Sequence, residues 1–250
     1  MATAIMSALA DEQSGLIEQL EAAECIHHAG RDFWCGRLHG QRVVLALSRI
    51  GKVSAAITAA ALIERFQVER VLFTGVAGGL APSVQVGDIV VASGFVQHDL
   101  DVSPLYPRYQ VPYYDRDRFD CDEALTAILL RANNDLWARG FAGFDTENGR
   151  LLPKLHTGLL ASGDQFVGSA AKSAAIFNGL RAAGHEPLAV EMEGAAVAQV
   201  CFDHRVPLAA VRTISDRADD AAHLDFERFL RDVASRVAHE IVGAFLKHLP

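Results

Sequence analysis

Continuous apolar runs along this chain alternate with stretches whose apolar residues recur every three or four positions. Runs rich in Val, Ile, Leu and Ala at 3–9, 43–48, 71–74, 89–93, 158–162, 188–191 and 208–213 read as strands. Several lack polar alternation, as strands covered on both faces do. Helical spacing predicts helices over 12–22, 52–66, 122–139, 194–203 and 225–246. In the last of these, Phe226, Phe229, Leu230, Val233, Val237, Ile241 and Phe245 share one face, the pattern of a helix that packs on and closes a domain. Strands and helices in this alternation are the signature of an α/β fold. No Gly/Ser linker, repeat or low-complexity block interrupts it, so residues 1–250 are expected to form a single domain. The exception is SPLYPRYQVPYYDRDRF, residues 103–119, whose prolines and aromatics predict a long surface loop of the kind that serves as a lid or an interface segment.

Composition changes this picture little. Half of the residues are hydrophobic and 22% are charged, ordinary values for a globular protein. The net charge of −8 gives no sign of a nucleic-acid or acidic-membrane surface and points to a small ligand. No apolar run reaches the length of a membrane span. The opening MATAIMSALADEQ has no basic residue and runs into Asp11 and Glu12, so it reads as a first buried strand and not as a signal sequence. Cys25, Cys35, Cys121 and Cys201 show no ligand spacing, which suits reduced thiols in a cytoplasm. His27 and His28 read as a surface pair, because no second ligand pair stands at helical spacing.

Four stretches carry candidate chemistry. LAVEMEGAAVAQV, residues 188–200, sets Glu191 and Glu193 two residues apart among small and apolar neighbours, although buried carboxylates require partners. LFTGVAGGL, residues 72–80, is a strand ending in a glycine-rich turn where Val76, Ala77 and Gly78 can offer backbone N–H groups to a ligand. It lacks the GxGxxG spacing of a dinucleotide site and the lysine of a phosphate-binding loop. VRTISDRAD, residues 211–219, places Ser215 and Asp216 just past a strand, where they fit either a ligand site or a helix N-cap. ALADEQSGL, residues 8–16, does the same with Asp11 and Glu12, where a first-turn helix carboxylate is the plain alternative. Carboxylates at three strand ends raise the case for a shared site above that of any one of them.

These motifs also occur in one order along nearly the whole chain. SRIGKV (48–53), TGVAGGLAP (74–82), VGDIVVAS (86–93), HDLDV (98–102), SGDQFV (162–167), AVEMEGAAVA (189–198) and RTISDRAD (212–219) together resemble the 5′-methylthioadenosine/S-adenosylhomocysteine nucleosidases, within the purine nucleoside phosphorylase/uridine phosphorylase superfamily. The resemblance implies a central twisted mixed β-sheet flanked by helices. It also implies hydrolysis of the N-glycosidic bond between adenine and a 5′-thio-substituted ribose. It assigns Glu12 to activating water, Asp216 to protonating adenine N7, and Glu193 to holding the ribose hydroxyls with Met192 beside the sugar. Phe166 and Val167 fall where the base is stacked and read. Ser215 and Arg212 fall where the aspartate and the water are oriented. Leu9, Ile50 and Phe226 match the pocket for the 5′ group. Val102 and Leu105 match positions by which a neighbouring subunit completes that pocket, so a homodimer is implied. Glu191 carries a supporting hydrogen-bond role.

The chemistry suits those assignments. Adenine leaves readily only once N7 is protonated, and burial can keep one carboxyl protonated near neutrality. A second carboxylate can then deprotonate water attacking a sugar with oxocarbenium character. No metal, flavin or nicotinamide is required. Two positions depart from the family pattern: Val76 stands where serine is common, and Arg49 where glycine is common. Arg49 reads either as a surface ion pair or as part of an anion site, which keeps a phosphate-dependent purine nucleoside phosphorylase in view. The arginine expected of phosphorylases two residues before the loop glycine is Phe73 here. A nucleosidase for another purine nucleoside, and a non-catalytic nucleoside-binding protein, are further alternatives.

Overall fold

The computed structural model of the chain describes all residues except 14, 139–143 and 147–148. Ser14, inside the predicted helix 12–22, and Arg139, at the end of the predicted helix 122–139, therefore lie outside the described residues.

The chain runs β1 (Ala2–Ser7), α1 (Ala10–Gln13), β2 (Glu21–His28), β3 (Arg31–Leu38), β4 (Gln41–Leu47), α2 (Lys52–Glu64), β5 (Arg70–Gly79) and β6 (Ile89–Gln97). It continues through β7 (Arg118–Asp120), α3 (Glu123–Ala138), β8 (Phe144–Thr146), β9 (Gly149–Leu151), β10 (Leu155–Ser162), α4 (Ala170–Ala182), β11 (Pro187–Glu191) and α5 (Gly194–His204). β12 (Leu208–Asp216), α6 (Ala222–Phe229), a π-helical turn over Leu230–Ala234 and α7 (Ser235–His248) complete it. Ten strands form one mixed sheet in the order β11-β10-β6-β12-β5-β1-β4-β3-β2, with β7 paired to β6. β11 also pairs antiparallel with β5, through Ala189 opposite Gly79 and Val190 opposite Gly78. That extra pairing closes β5, β12, β6, β10 and β11 into a barrel, from which β1 to β4 extend as an open sheet.

All seven predicted strands form, and their uninterrupted apolar character has the expected cause. On β1, Ala4 and Met6 enter one core while Ile5 enters the other. Likewise on β5, Val71 and Phe73 face one way and Leu72 the other. α2 and α5 cover the first face, through Ala55, Leu62 and Ala195. α3 and α7 cover the second, through Leu125, Leu129, Val237, Ile241 and Phe245. Burial at about 25 cal/mol per Å² of apolar surface makes these two layers the main stabilising term.

Several elements differ from expectation. The first helix is only Ala10–Gln13, because Gly15 turns the chain at a φ of 85° and β2 follows. The β2–β3 hairpin is absent from the hydrophobic pattern since β2, EAAECIHH, is an almost wholly exposed edge strand. The turns on either side of β3 do carry a signal: Ala29-Gly30, joining β2 to β3, and His39-Gly40, joining β3 to β4, both take positive φ at two consecutive residues, the backbone of a tight two-residue hairpin loop. The exposed α4 is also outside the predicted set, although Ser169 caps it by accepting from Lys172 N at 3.3 Å. The predicted helix 225–246 is split by the π-helical turn, and Phe226 leaves the core face for a cavity. Residues 103–119 are largely turns, but they are fastened to the body. Tyr109 is buried, the Tyr114 hydroxyl donates to Asp203 at 2.9 Å, and the Arg116 guanidinium lies 4.2 Å from the Phe202 ring centre.

α5 can approach the barrel because it starts with glycine. A Cβ on Gly194 would stand 2.0 Å from Cε1 of Phe95, which is fully buried on β6. Gly194→Ala is therefore expected to lose about 1–3 kcal/mol by overpacking. Urea unfolding measures it, and an unchanged midpoint would show that α5 can retreat freely.

Candidate active site

Within the barrel, register brings distant residues into one row. Gly78 of β5 is opposite Asp216 of β12 on one side and Val190 of β11 on the other. A cavity of about 270 Å³ opens there, lined by residues from seven separate stretches. Glu12, Glu191, Glu193 and Asp216 all reach it, with Val76, Ala77 and Gly78 beneath and Phe166, Val167 and Met192 around it. Leu9, Ile50, Phe226 and Ser215 complete the predicted set that the fold brings together. Ala8, Gln165 and Val190 also line it. Adjacency to Leu9, Phe166 and Glu191 was the one sequence signal that pointed to them.

Three expected residues stand elsewhere on this chain. Val102 and Leu105 do not line the cavity, and Leu105 is 82% exposed. Arg212 lies behind the wall. Its guanidinium is 2.9 Å from Glu191 Oε2, donates to the Phe73 and Val211 carbonyls at 3.2 Å, and lies 4.0 Å from the Phe73 ring centre. It is thus engaged with protein groups and does not open onto the cavity.

Glu12 occupies N3 of α1 and reaches back to the N-cap. Its Oε2 accepts from Ala8 N at 2.8 Å and Leu9 N at 2.9 Å, while Oε1 accepts from Val76 N at 3.0 Å. The capping alternative is therefore half true: the same carboxylate closes a helix turn and ties β1 to β5. Gly75 admits it, since a Cβ there would stand 2.8 Å from Oε1. Asp216 is the last residue of β12 and caps no helix, for α6 begins after Ala221. Its Oδ2 accepts from the Ser215 hydroxyl at 2.8 Å and Oδ1 from Ala218 N at 2.8 Å. Gly78 makes room in turn, its absent Cβ lying 2.8 Å from Oδ1. Gly75 and Gly78 are three residues apart, so the points where the two carboxylates meet β5 are about 10 Å apart.

Glu191 and Glu193 have unequal surroundings. Glu191 accepts from the Ser162 hydroxyl, from Arg212, from Glu193 N at 3.2 Å and from Gly194 N at 2.8 Å, which saturates it. Among the described residues Glu193 accepts one hydrogen bond, from Gly51 N at 2.8 Å, and its side chain lines the cavity. Burial raises the carboxyl of Glu12 above the usual range, against its backbone hydrogen bonds and Arg212. Burial first, then the charge of Glu191, raises Glu193. Burial also raises Asp216, against the Ser215 hydrogen bond.

The cavity can therefore hold protons on carboxyls, accept hydrogen bonds from hydroxyls and stack a flat apolar group. Among the described residues its lining includes no Lys, Arg or His. Nor do the described residues contain a group of three His, Cys, Asp or Glu able to hold a metal ion. Arg49 is exposed, donates to the Gly30 carbonyl and lines a separate crevice with Arg31 and Asp32. Its place in an anion site at the cavity is thereby removed. All four cysteines are unpaired, and no described helix is long and apolar enough to cross a membrane.

Comparison with known proteins adds three kinds of likeness. The family model of the phosphorylase superfamily matches residues 2–247. A 5′-methylthioadenosine/S-adenosylhomocysteine nucleosidase of Bacillus thuringiensis is 37% identical over 243 residues, 97% of each chain. The structure of such a nucleosidase from Colwellia psychrerythraea, in complex with adenine, superposes with a TM-score of 0.87 at 34% identity, covering 100% of this chain and 96% of that one. A futalosine hydrolase mutant of Helicobacter pylori superposes with a TM-score of 0.86 at 31% identity over the full length of both chains.

Two outcomes check this geometry. Arg212 and Glu191 are each 2% exposed at the side chain, so Arg212→Met, which strands a buried carboxylate, should destabilise by about 3–5 kcal/mol. Pairing it with Glu191→Met should recover part of that loss in a denaturant titration; strict additivity would show the pair is not coupled. A carboxyl whose folded pKa is raised binds its proton more tightly in the native state, so it lowers stability as pH rises above the ordinary carboxylate range. Glu193→Gln removes one such group. Its stability relative to wild type should therefore increase with pH across that window, and a constant difference in unfolding midpoints would contradict the shift.

Proposed function

The chain belongs to the phosphorylase superfamily, among its 5′-methylthioadenosine/S-adenosylhomocysteine nucleosidases, and we propose that it hydrolyses the adenine N-glycosidic bond of one or both of those thio-nucleosides. The protein is an enzyme, a nucleosidase. The products of the proposed reaction are adenine and a 5-thioribose derivative.

One observation carries the choice of water over phosphate: among the described residues, four carboxylates and no cation line the cavity. A phosphate dianion would need a cationic partner to offset its desolvation, and the one buried guanidinium nearby is already held by Glu191 and two carbonyls. Water has no such requirement. Glu12 keeps one acceptor position beyond its three N–H partners, enough to take a proton from water. Asp216, raised by burial, delivers a proton to the base nitrogen as the glycosidic bond breaks. The spacing along β5 leaves room for the sugar and a water between them, as in glycosidases whose two carboxyls stand about 6.5–9.5 Å apart. Glu193 accepts from the ribose hydroxyls, which replace solvent as its partners. Phe166 stacks on the base, its ring braced edge-to-face by Phe226 at 5.7 Å between ring centres. Leu9, Ile50 and Phe226 offer an apolar wall to the 5′ thio group.

Ile50 is 57% exposed, so that wall is open to solvent on this chain. A second copy supplying Val102 and Leu105 would cover it, and a homodimer is part of the proposal. Val76 in place of a hydroxyl residue affects neither carboxylate, because the contact at that position is through its backbone N–H. The likeness to a futalosine hydrolase favours, as a second reading, a nucleosidase for a different purine nucleoside on the same machinery.

Base release from methylthioadenosine, adenosylhomocysteine, adenosine and inosine, with and without phosphate, tests the proposal. Release from the two thio-nucleosides at a rate indifferent to phosphate is expected. Formation of a sugar 1-phosphate would assign the enzyme to the phosphorylases, and binding without release would make it a binding protein. Asp216→Asn should lower kcat by a factor of about 10²–10⁴ or more while leaving the fold intact. The wild-type rate should rise with pH as Glu12 ionises and fall as Asp216 loses its proton, the acid limb lying above the usual carboxylate range. A flat profile through that range would remove the acid–base assignment.

A further inference from the structure

Outside the cavity, between the start of α2 and the loop after β10, lies a compact cluster of Lys52, Asp99 and Asp164. The Lys52 ammonium is 2.6 Å from Asp99 Oδ1 and 3.0 Å from Gln97 Oε1, with Asp164 Oδ2 at 4.0 Å. Asp99 Oδ2 accepts from Asp164 N at 2.9 Å, and Asp164 Oδ1 accepts from Lys52 N at 2.7 Å. Three side chains and two backbone amides thus close a ring. The Lys52 side chain is 16% exposed and that of Asp99 23%, against 48% for Asp164, so it is the Lys52–Asp99 pair that is shielded from water more than a surface ion pair is.

Both ends of this ring lead to the cavity, yet none of its members lines it. Asp164 immediately precedes Gln165, Phe166 and Val167, which form the wall proposed to hold the base. Lys52 follows Ile50 and Gly51. The first lines the cavity, and the N–H of the second is the single donor to Glu193 among the described residues. Adjacent amides, those of Gly51 and Lys52, therefore point at different carboxylates, Glu193 on the sugar side and Asp164 on the base side. Gly51 permits that divergence: its φ is 94°, and a Cβ would stand 3.2 Å from Asp164 Oδ1. His98, next to Asp99, is buried with its ring packed against Gly163, whose absent Cβ would lie 2.3 Å from Nε2. The loop after β10 is thus fitted to the segment that carries Asp99 at a second point.

We propose that Lys52, Asp99 and Asp164 are positioning residues that lock the base-holding loop at 163–167 to the Gly51–Glu193 contact, so that base and ribose are gripped in one fixed geometry. What occupies the cavity rests on the proposed nucleosidase reading; the linkage itself does not. A side chain that only stabilised the fold would shift the unfolding midpoint and leave the binding of base alone and of whole nucleoside in proportion. A lock between two half-sites acts differently. Freeing the loop weakens the base grip, and freeing Gly51 lets Glu193 swing from the sugar.

Asp99→Asn, Lys52→Met and Lys52→Arg, each in the full chain, test this by two measurements. The first is steady-state kinetics with methylthioadenosine, alongside equilibrium binding of adenine. Asp99→Asn and Lys52→Met should raise the adenine dissociation constant about tenfold and KM by a larger factor, since the nucleoside loses the sugar grip as well as the base grip, with Lys52→Arg recovering most of both losses. The second needs no turnover: amide hydrogen exchange over residues 163–167 and at Gly51 should accelerate together in Lys52→Met, with the core strands unchanged. Unaltered exchange at both places, or acceleration at one of them alone, overturns the linkage. Wild-type KM in all three variants overturns it as well. If the wild-type protein releases no base from any purine nucleoside, the nucleosidase reading fails, and hydrogen exchange still decides the linkage.

Discussion

A carboxylate and a guanidinium, Glu191 and Arg212, face each other at 2.9 Å in the closed part of the sheet, and most of the site depends on that contact. Neither ion would be tolerated there alone. Glu191 offsets its own desolvation with the Ser162 hydroxyl and the amides that open α5. Those amides are the orphan donors every helix start leaves, so one side chain both neutralises a buried cation and begins a helix. Arg212 spends its remaining donors on β5 and β12 carbonyls and lays its plane on Phe73. The consequence is chemical as much as structural. The buried guanidinium behind the cavity is held by protein groups, and among the described residues what the lining offers to a ligand as charge is a group of acids.

Those acids differ because their partners differ. Glu191 is saturated by donors, whereas Glu193, two residues on, has one amide among the described residues and lines the cavity. Glu12 and Asp216 lie against two glycines of the same strand, which holds them at a spacing dictated by the extended backbone. Burial raises all three of Glu12, Glu193 and Asp216, so a small change in partner decides which holds a proton. A ligand that donates hydroxyls to Glu193 and accepts from Asp216 satisfies both groups at once. That is the electrostatic logic of the proposed nucleosidase.

Strands with uninterrupted apolar runs were legible because both their faces are buried, as Ile5 and Met6 show by entering opposite cores. The polar strand β2 and the exposed helix α4 were not, since they bury too little to imprint a period. Gly15 ended the first helix early by its backbone angle, a property that apolar spacing does not report. In the site, Glu12, Glu191, Glu193 and Asp216 reached the cavity and the exposed Asp11 did not, and neither did Arg212. The family resemblance assigned Arg212 to orienting water, but whether it faces the cavity or Glu191 depends on a partner 21 positions away.

The sequence by itself determined the apolar strands and the helices packed on them, the residues able to do acid–base chemistry, and the glycine-rich turn where backbone can approach a ligand. Those follow from local patterns: side-chain periodicity, residue type and the allowed angles of glycine. Only the tertiary structure decided that β11 returns to β5 and closes the barrel, and hence that Asp216, Gly78 and Val190 share one row. It alone decided that Gly51 donates to Glu193, 142 positions on, and that Glu191 is spent on Arg212. The reason is physical: partners and burial set the charge and reach of a carboxylate, and both are supplied by residues far away in the chain.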